Sequence, residues 1–224
     1  MEHHTSDPYA RMAPIYDLVT APFLDPMRRA VCRLAQAAGA RRAVDLCCGT
    51  GRQAWMLAAR GVETLGVDLS PSMLARADRP PGGRMVPGGA GPRFARMDAT
   101  SLELPEASFD FAVVALSLHE MPWDEAVRLF SEMRRVVRPG GLVTVADYVP
   151  PGTALARAAR LGVLAAEWSA GARHLGNYRQ FMARGGLPGF LDAECRECGV
   201  RLVHRFLFGN AALAIMDRAA SVPA

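Results

Sequence analysis

Lysine is absent from this chain: all 26 basic residues are arginine. No side-chain primary amine is available to form a Schiff base or to serve as a general base, so chemistry built on either is excluded. Long apolar runs are also missing. None approaches the roughly 20 residues that a membrane helix needs, and the polar opening Met1–Asp7 lacks the apolar centre of a secretory signal. Cysteine is sparse, and its count of five is odd. A chain of 224 residues can bury a full core without disulfide staples, so reduced thiols in a cytoplasmic protein are expected. Excess charge of one sign is lacking too. The net charge is +4 and the arginines are scattered, so a pI near 9.0 does not amount to a basic stripe. Nucleic acid is therefore not an expected partner.

What is present is alternation. Ala43–Leu46, Thr64–Val67, Phe109–Leu116 and Leu142–Ala146 are short apolar runs that read as buried strands, with a weaker one at Phe94–Met97. Arg52–Arg60 reads as a helix, and Ser70 and Pro71 read as the cap and first residue of another that runs to about Asp78. Trp123, Val127, Phe130, Met133 and Val137 share one helical face, which Pro139-Gly140-Gly141 should stop. Strand and helix in turn predict a parallel sheet covered on both faces. A mainly helical stretch at 150–183, including Thr153–Trp168, interrupts the rhythm, and a loop is expected at Pro80–Pro92. Phe190–Gly199 then reads as a helix, and Val200–Phe208 and Ala211–Met216 as two strands joined by a tight Gly209-Asn210 hairpin. The 1–42 lead-in contains one clear helix, Pro26–Ala38. No internal repeat is present, so a single domain is expected over 1–224.

Three acids mark the strand ends. In Val44-Asp45-Leu46-Cys47-Cys48-Gly49-Thr50-Gly51 a buried strand enters a glycine turn that opens a helix. There, backbone N–H groups and the positive helix end can approach a ligand. The third glycine of a dinucleotide fingerprint is missing, and an aspartate ahead of the turn suits an ammonium group better than a diphosphate. Asp68, in Gly66-Val67-Asp68-Leu69-Ser70, follows the second strand and is placed to accept the hydroxyls of a ribose. Asp98, in Met97-Asp98-Ala99-Thr100, follows the third. An amine, a diol and an adenine amino group spread along one sheet edge together describe S-adenosylmethionine.

With these residues in order, the chain resembles the class I S-adenosylmethionine-dependent methyltransferases of the ubiquinone/menaquinone-biosynthesis and phospholipid N-methyltransferase group. The resemblance also rests on Phe109-Asp110-Phe111-Ala112-Val113-Val114 leading to Leu118-His119, on Val137-Arg138-Pro139-Gly140-Gly141, and on the opening Tyr9-Ala10-Arg11-Met12-Ala13-Pro14-Ile15-Tyr16-Asp17. It implies a Rossmann-like α/β fold with a seven-stranded sheet in order 3-2-1-4-5-7-6, the last strand antiparallel, and a small helical cap. It assigns Gly49 and Gly51 to the methionine moiety and Asp45 to its ammonium. Asp68 would take the ribose, Leu69 the adenine face, Asp98 the adenine amino group and the Ala99 N–H a ring nitrogen. Leu116 and Ser117 would lie near the sulfonium, and cofactor contacts fall also to Tyr16, Cys47 and Met73. The product would be S-adenosyl-L-homocysteine.

The acceptor is read as a small apolar or amphipathic molecule (quinone, lipid or another small molecule), with transient membrane or lipid contact. Residues 1–42, as a lid, and 150–183, as a helical cap, would enclose it. His119 is a candidate catalytic base or a hydrogen-bonding wall of that pocket, since a histidine titrates near neutrality. Cys195-Arg196-Glu197-Cys198 lacks the second pair and nearby histidine of a four-ligand zinc site and reads as plain thiols, thiol chemistry on arsenic with Cys47 or Cys48 being the sharper alternative. A non-catalytic S-adenosylmethionine-binding sensor or assembly protein is the rival to an enzyme, and a nicotinamide oxidoreductase is a third reading.

Overall fold

The computed structural model describes residues 7, 9–10, 12–83, 91–196 and 199–218. Strands β1 (Arg42–Leu46), β2 (Glu63–Asp68), β3 (Arg93–Arg96), β4 (Phe109–Ala115), β5 (Val137–Tyr148), β6 (Arg201–Phe206) and β7 (Ala211–Asp217) form one sheet. Its order is β3-β2-β1-β4-β5-β7-β6, as expected from the sequence. The first five strands run parallel, and β7 is antiparallel to both β5 and β6. Helices α1 (Tyr16–Ala37), α2 (Arg52–Ala58), α3 (Pro71–Ala77), α4 (Trp123–Val136), α5 (Ala154–Ser169), α6 (Ala172–Ala183) and α7 (Gly186–Glu194) cover it.

Strand alternation divides the core between two faces. Val44, Leu46, Ala112, Val114, Val143 and Val145 pack with Leu129, Phe130 and Met133 of α4 and Phe190 of α7. Ala43, Phe111, Val113, Ala146 and Leu213 pack with Met27, Val31 and Ala35 of α1 and with Tyr178 of α6. Asp45 shares the second face with Ala43 and is buried there, 3% exposed. All the parallel strands deliver their carboxyl ends to one edge, where crossover loops must begin.

Several expectations need correcting. The lead-in helix starts at Tyr16, ten residues before Pro26, with Pro22 and Pro26 inside it; packing of Leu24, Met27 and Val31 carries the helix through two residues that punctuate it locally. Strand β5 starts at Val137, ahead of the Pro-Gly-Gly stop. A residue two before a proline is free to go extended, and β7's continuation supplies partners: Gly140 N–H donates to Arg218 O and Arg218 N–H to Gly141 O, both at 2.9 Å. The β6–β7 connection is a four-residue turn, Leu207–Asn210, with Leu207 and Phe208 at positive φ, so the tight Gly209-Asn210 hairpin is not formed. Helix α7 runs Gly186–Glu194, so it begins four residues before the expected Phe190–Gly199 segment and covers only its first half. The expected cap is present, Ser70 Oγ accepting from Met73 N–H at 3.1 Å, and Thr153 Oγ1 likewise caps α5, accepting from Ala156 N–H at 3.1 Å. Most of the Pro80–Pro92 loop, and Cys198 of the thiol pair, lie outside the described residues.

Candidate active site at the carboxyl edge of the sheet

The loop after β1 is held in shape by its neighbours. Cys47 takes a left-handed conformation, φ 53°, which costs about 1–2 kcal/mol in a residue with a Cβ. Cys48 N–H donates to Val67 O at 3.0 Å, tying the turn to β2. Gly49 (φ 54°) and Gly51 (φ 71°) both need the left-handed region, but for different surroundings. A Cβ on Gly49 would meet nothing within 4 Å, so the loop presents bare backbone to an open space. A Cβ on Gly51 would strike the Phe94 ring at 2.5 Å and Ala77 at 2.8 Å. The second glycine is therefore required by packing of β3 and α3 behind the loop. The same left-handed strain recurs after β4, at Leu116 (φ 55°), where Leu116 N–H donates to Ala146 O at 2.7 Å. Two strained non-glycine residues at adjacent strand ends mark the edge as a place where geometry overrides local preference.

Asp68 bridges the loop and the next helix. One carboxylate oxygen accepts from Gly49 N–H at 2.8 Å and the other from Ser70 N–H at 2.8 Å. A carboxylate offers about four lone-pair positions, so one per oxygen stays open. Leu69 beside it is 56% exposed, an apolar surface next to a hydrogen-bonding acid. Asp45 differs: it is buried, and its Oδ2 has no hydrogen-bond partner. Burial pushes its carboxyl up to about 7, with Arg28 opposing and the Asp68 charge adding to the rise. Asp98 Oδ1 accepts from both the N–H and the hydroxyl of Thr100 at 2.8 Å, an exposed turn at the end of β3. Met73 and Ala99 are buried just behind this edge, and Ser117 Oγ donates to Ala115 O at 3.2 Å. Burial holds the thiols of Cys47 and Cys48 above the usual range, so both stay protonated and neither is poised as a thiolate.

The lead-in straps across the same edge through three residues. Asp7 accepts from Ser70 Oγ at 2.8 Å and from Ser72 N–H at 2.9 Å, Asp17 accepts from Thr50 Oγ1 at 2.8 Å, and the Tyr9 hydroxyl donates to Glu120 Oε2. Burial pushes the Tyr16 phenol up to about 12, with the nearby Glu120 charge adding to it.

Beyond Ser117 lies a buried polar cluster that sequence reading glimpsed only as His119. Its Nδ1 is 2.7 Å from Asp147 Oδ1 and its Nε2 is 3.5 Å from Glu167 Oε2. Glu167 Oε2 is in turn 2.7 Å from His174 Nε2, and the Tyr148 hydroxyl donates to Glu167 Oε1 at 2.8 Å. Asn177 Nδ2 donates to Glu120 O at 2.6 Å. Burial works against charge on His119, but Asp147 and Glu167 hold its pKa well above 6.5. Burial likewise opposes Glu167, yet the two histidines bring its carboxyl down to about 2. Both nitrogens of His119 are thus engaged by carboxylates. Glu167 and Asp147 carried no sequence signal: Glu167 sits in an alanine-rich helix and Asp147 near the end of a strand, and only the packing of α5 and α6 on the turn after β4 brings them together. Surface grooves lined by Phe130, Arg134 and Arg218, and by Leu65, Phe94 and Phe109, lie at the opposite, amino-terminal edge, far from these groups.

Known proteins resemble this chain in sequence and fold. Residues 43–141 match the family described as a methyltransferase domain. The demethylmenaquinone methyltransferase of Thermus thermophilus is 35% identical over 150 residues, 64% of this chain and 65% of that protein. A 2-methyl-6-phytyl-1,4-hydroquinone methyltransferase of Synechocystis is 35% identical over 106 residues, covering 47% of this chain and 31% of that protein. The chain thus spans less than two thirds of the length of these curated relatives. An O-methyltransferase family protein from Burkholderia thailandensis superposes with a TM-score of 0.70 over 98% of this chain and 61% of that one, at 17% identity. That likeness identifies the fold.

Proposed function

We propose that this chain, whose residues 43–141 belong to the methyltransferase-domain family and whose fold is that of the class I methyltransferases, transfers a methyl group from S-adenosylmethionine to a small apolar acceptor of the hydroquinone type. The observation that carries the reading is the pairing of Asp45 and Asp68 around the bare Gly49 backbone. One is a buried acid with an unpartnered oxygen, and the other is a carboxylate with one free position on each oxygen. These match an ammonium and a vicinal diol, the two polar ends of the methionine and ribose portions. Leu69 supplies an exposed apolar surface for the adenine, and Asp98 keeps one oxygen free of its turn for the adenine amino group. Gly51, Ala99, Leu116, Ser117, Cys47, Met73 and Tyr16 complete the enclosure.

The cofactor supplies an electrophilic sulfonium methyl when bound. The chain's own task is to hold an acceptor in line with it and to keep water out, which accounts for much of the barrier reduction in such a transfer. The strap over 1–42 and the α5–α6 cap within 150–183 perform the closing, since Tyr9 joins the strap to Glu120 and Asn177 joins the cap to the same residue. His119, already held by two carboxylates, serves as a polar wall and not as a free base. Names of the two curated relatives above, both quinone or hydroquinone methyltransferases, support the acceptor class. No helix among the described residues is long and apolar enough to cross a membrane, so a prenylated acceptor would be met at a surface.

The test is acceptor-dependent release of S-adenosylhomocysteine across a panel of short-chain naphthohydroquinones and benzohydroquinones. Methylated product with at least one is expected. Tight S-adenosylhomocysteine binding without turnover on any phenolic, lipid or amine acceptor would instead favour a sensor. Hydrogen exchange should slow in residues 9–20 and 154–183 when cofactor and acceptor are both present. Unchanged exchange in both segments would refute the lid.

A further inference from the structure

The cluster beyond Ser117 has features that methyl transfer to a hydroquinone does not require. His119, Glu120 and His174 each direct one ligand atom to a common centre, all within 4.8 Å of one another. Because Asp147 holds Nδ1, His119 offers its Nε2. His174 Nε2 lies 4.0 Å from Glu120 Oε1. A second carboxylate lies beside the two histidines, outside that group of three: Glu167 Oε2 is 3.5 Å from His119 Nε2 and 2.7 Å from His174 Nε2. Donors on a tetrahedral ion bonded at about 2.0–2.1 Å stand about 3.3 Å apart. The separations lie on both sides of that value, so modest side-chain shifts would bring His119, Glu120 and His174 onto one ion, with Glu167 beside the two histidines as a fourth donor.

The surroundings have the form of a metal site's outer shell. A ligating histidine ordinarily donates its other ring nitrogen to a carboxylate, and ligating carboxylates are themselves hydrogen-bonded. Asp147 does the first for His119, accepting as well from Leu118 N–H at 2.9 Å and Tyr148 N–H at 2.7 Å, and is fully buried. Tyr9 donates to Glu120 and Tyr148 to Glu167. Three of the four donors are thus oriented by a second group. The donors come from two places, the adjacent pair 119–120 after β4 and Glu167 and His174 on either side of the α5–α6 turn, so an ion would also clamp the cap to the sheet edge.

We propose that His119, Glu120, Glu167 and His174 bind one divalent first-row transition ion, of the zinc, iron or manganese type, between the cap and the cofactor edge. Two imidazoles with two carboxylates favour such ions over magnesium or calcium, which take oxygen donors. Binding of the ion stands on these four residues alone. Its use in polarising an acceptor hydroxyl, by contrast, rests on the methyl-transfer reading above.

The experiment strips the full chain with a chelator and titrates it with Zn2+ and, separately, with Co2+, in the absence of S-adenosylmethionine and acceptor. One ion per chain with a micromolar or tighter Kd is expected, Co2+ giving the visible absorption of a four- or five-coordinate site. His174→Ala and Glu120→Gln should each weaken binding by about 100-fold or more, at or above the roughly 10–100-fold that loss of an outer-shell partner costs. His204→Ala, on the exposed face of β6, should leave it unchanged. Far-UV circular dichroism checks that each variant is folded. Zinc-edge X-ray absorption on the unmutated protein should show imidazole nitrogen and carboxylate oxygen; it decides the matter if the variants do not fold. A stoichiometry well below one, equal affinity in folded His174→Ala, or sulfur ligation would overturn the proposal. None of these outcomes depends on turnover, so failure of the metal site and failure of the methyltransferase reading are separable.

Discussion

Removing the carboxylate of Asp68 tests the cofactor site most directly, because the structure separates its two duties. Each oxygen already takes one backbone N–H, from Gly49 and Ser70, at 2.8 Å. Each retains one lone-pair position, enough for the two hydroxyls of a ribose. Hydrogen bonds to a charged acceptor contribute about 1.5–3 kcal/mol each. Loss of two ribose contacts therefore costs about 3 kcal/mol at the low end, a weakening of roughly 150-fold. Asp68→Asn is the sharper substitution. Its amide keeps one acceptor but turns a donor towards either Gly49 N–H or Ser70 N–H, so the loop loses support while side-chain volume is conserved. Titration calorimetry with S-adenosylhomocysteine, which cannot be consumed, measures the effect, and thermal denaturation of the free protein measures the loop's share. Asp68→Ala and Asp68→Asn should both raise the Kd by about two orders of magnitude or more, with a smaller loss of stability. A Kd within threefold of the parent in a folded variant would remove Asp68 from the site and with it the reading of this edge.

Gly51→Ala should destabilise the fold by about 2–4 kcal/mol in urea denaturation, from the left-handed backbone and the Phe94 contact together. Gly49→Ala meets no neighbour and should cost only about 1–2 kcal/mol of stability while impairing cofactor binding; the reverse ranking would contradict the division of roles. Because Asp45 is raised from its ordinary 3.8 to about 7, the folded state favours its protonated form. That contribution, at most about 4 kcal/mol, is complete below pH 3.8 and is lost as pH rises towards 7. Free-protein stability should accordingly fall over that window relative to Asp45→Asn, whereas S-adenosylhomocysteine affinity should rise through pH 7; matching pH profiles for the two proteins would refute the assignment. Tyr9→Phe breaks the strap's bond to Glu120 and should lower kcat several-fold with S-adenosylhomocysteine affinity within about twofold. An equal loss in both would place Tyr9 against the cofactor instead. Phe190→Ala removes a fully buried ring packed on Trp123 and Phe130 and should cost about 3–5 kcal/mol, read from the denaturation midpoint.

Local chemistry made much of the molecule legible from sequence. The strands at 43–46, 64–67 and 109–116 were readable because both of their faces are buried, which leaves unbroken apolar runs. Ser70 was readable as a cap because capping uses only a residue's own helix. The acids Asp45, Asp68 and Asp98 were readable as a set because each lies at or just past the carboxyl end of a strand, and parallel strands must place such residues at one edge. Strand order came with the family resemblance that these motifs carry, and the sheet has that order.

Other features were decided by contacts between distant segments. Helix α1 runs through Pro22 and Pro26 because the sheet face beneath it rewards burial of Met27 and Val31 more than the prolines cost. The reason for Gly51 is the Phe94 ring, some forty residues on, and no local pattern announces it. Strand β5 reaches back to Val137 because Phe109 of β4 pairs with Val137 and β7's continuation bonds Gly140 and Gly141. The cluster around His119 is the extreme case. Asp147, Glu167 and His174 have no shared spacing or motif, and each alone is an ordinary polar residue. Burial makes them a unit, since a charge removed from water must find its partners within the fold, and which partners it finds is a property of packing alone.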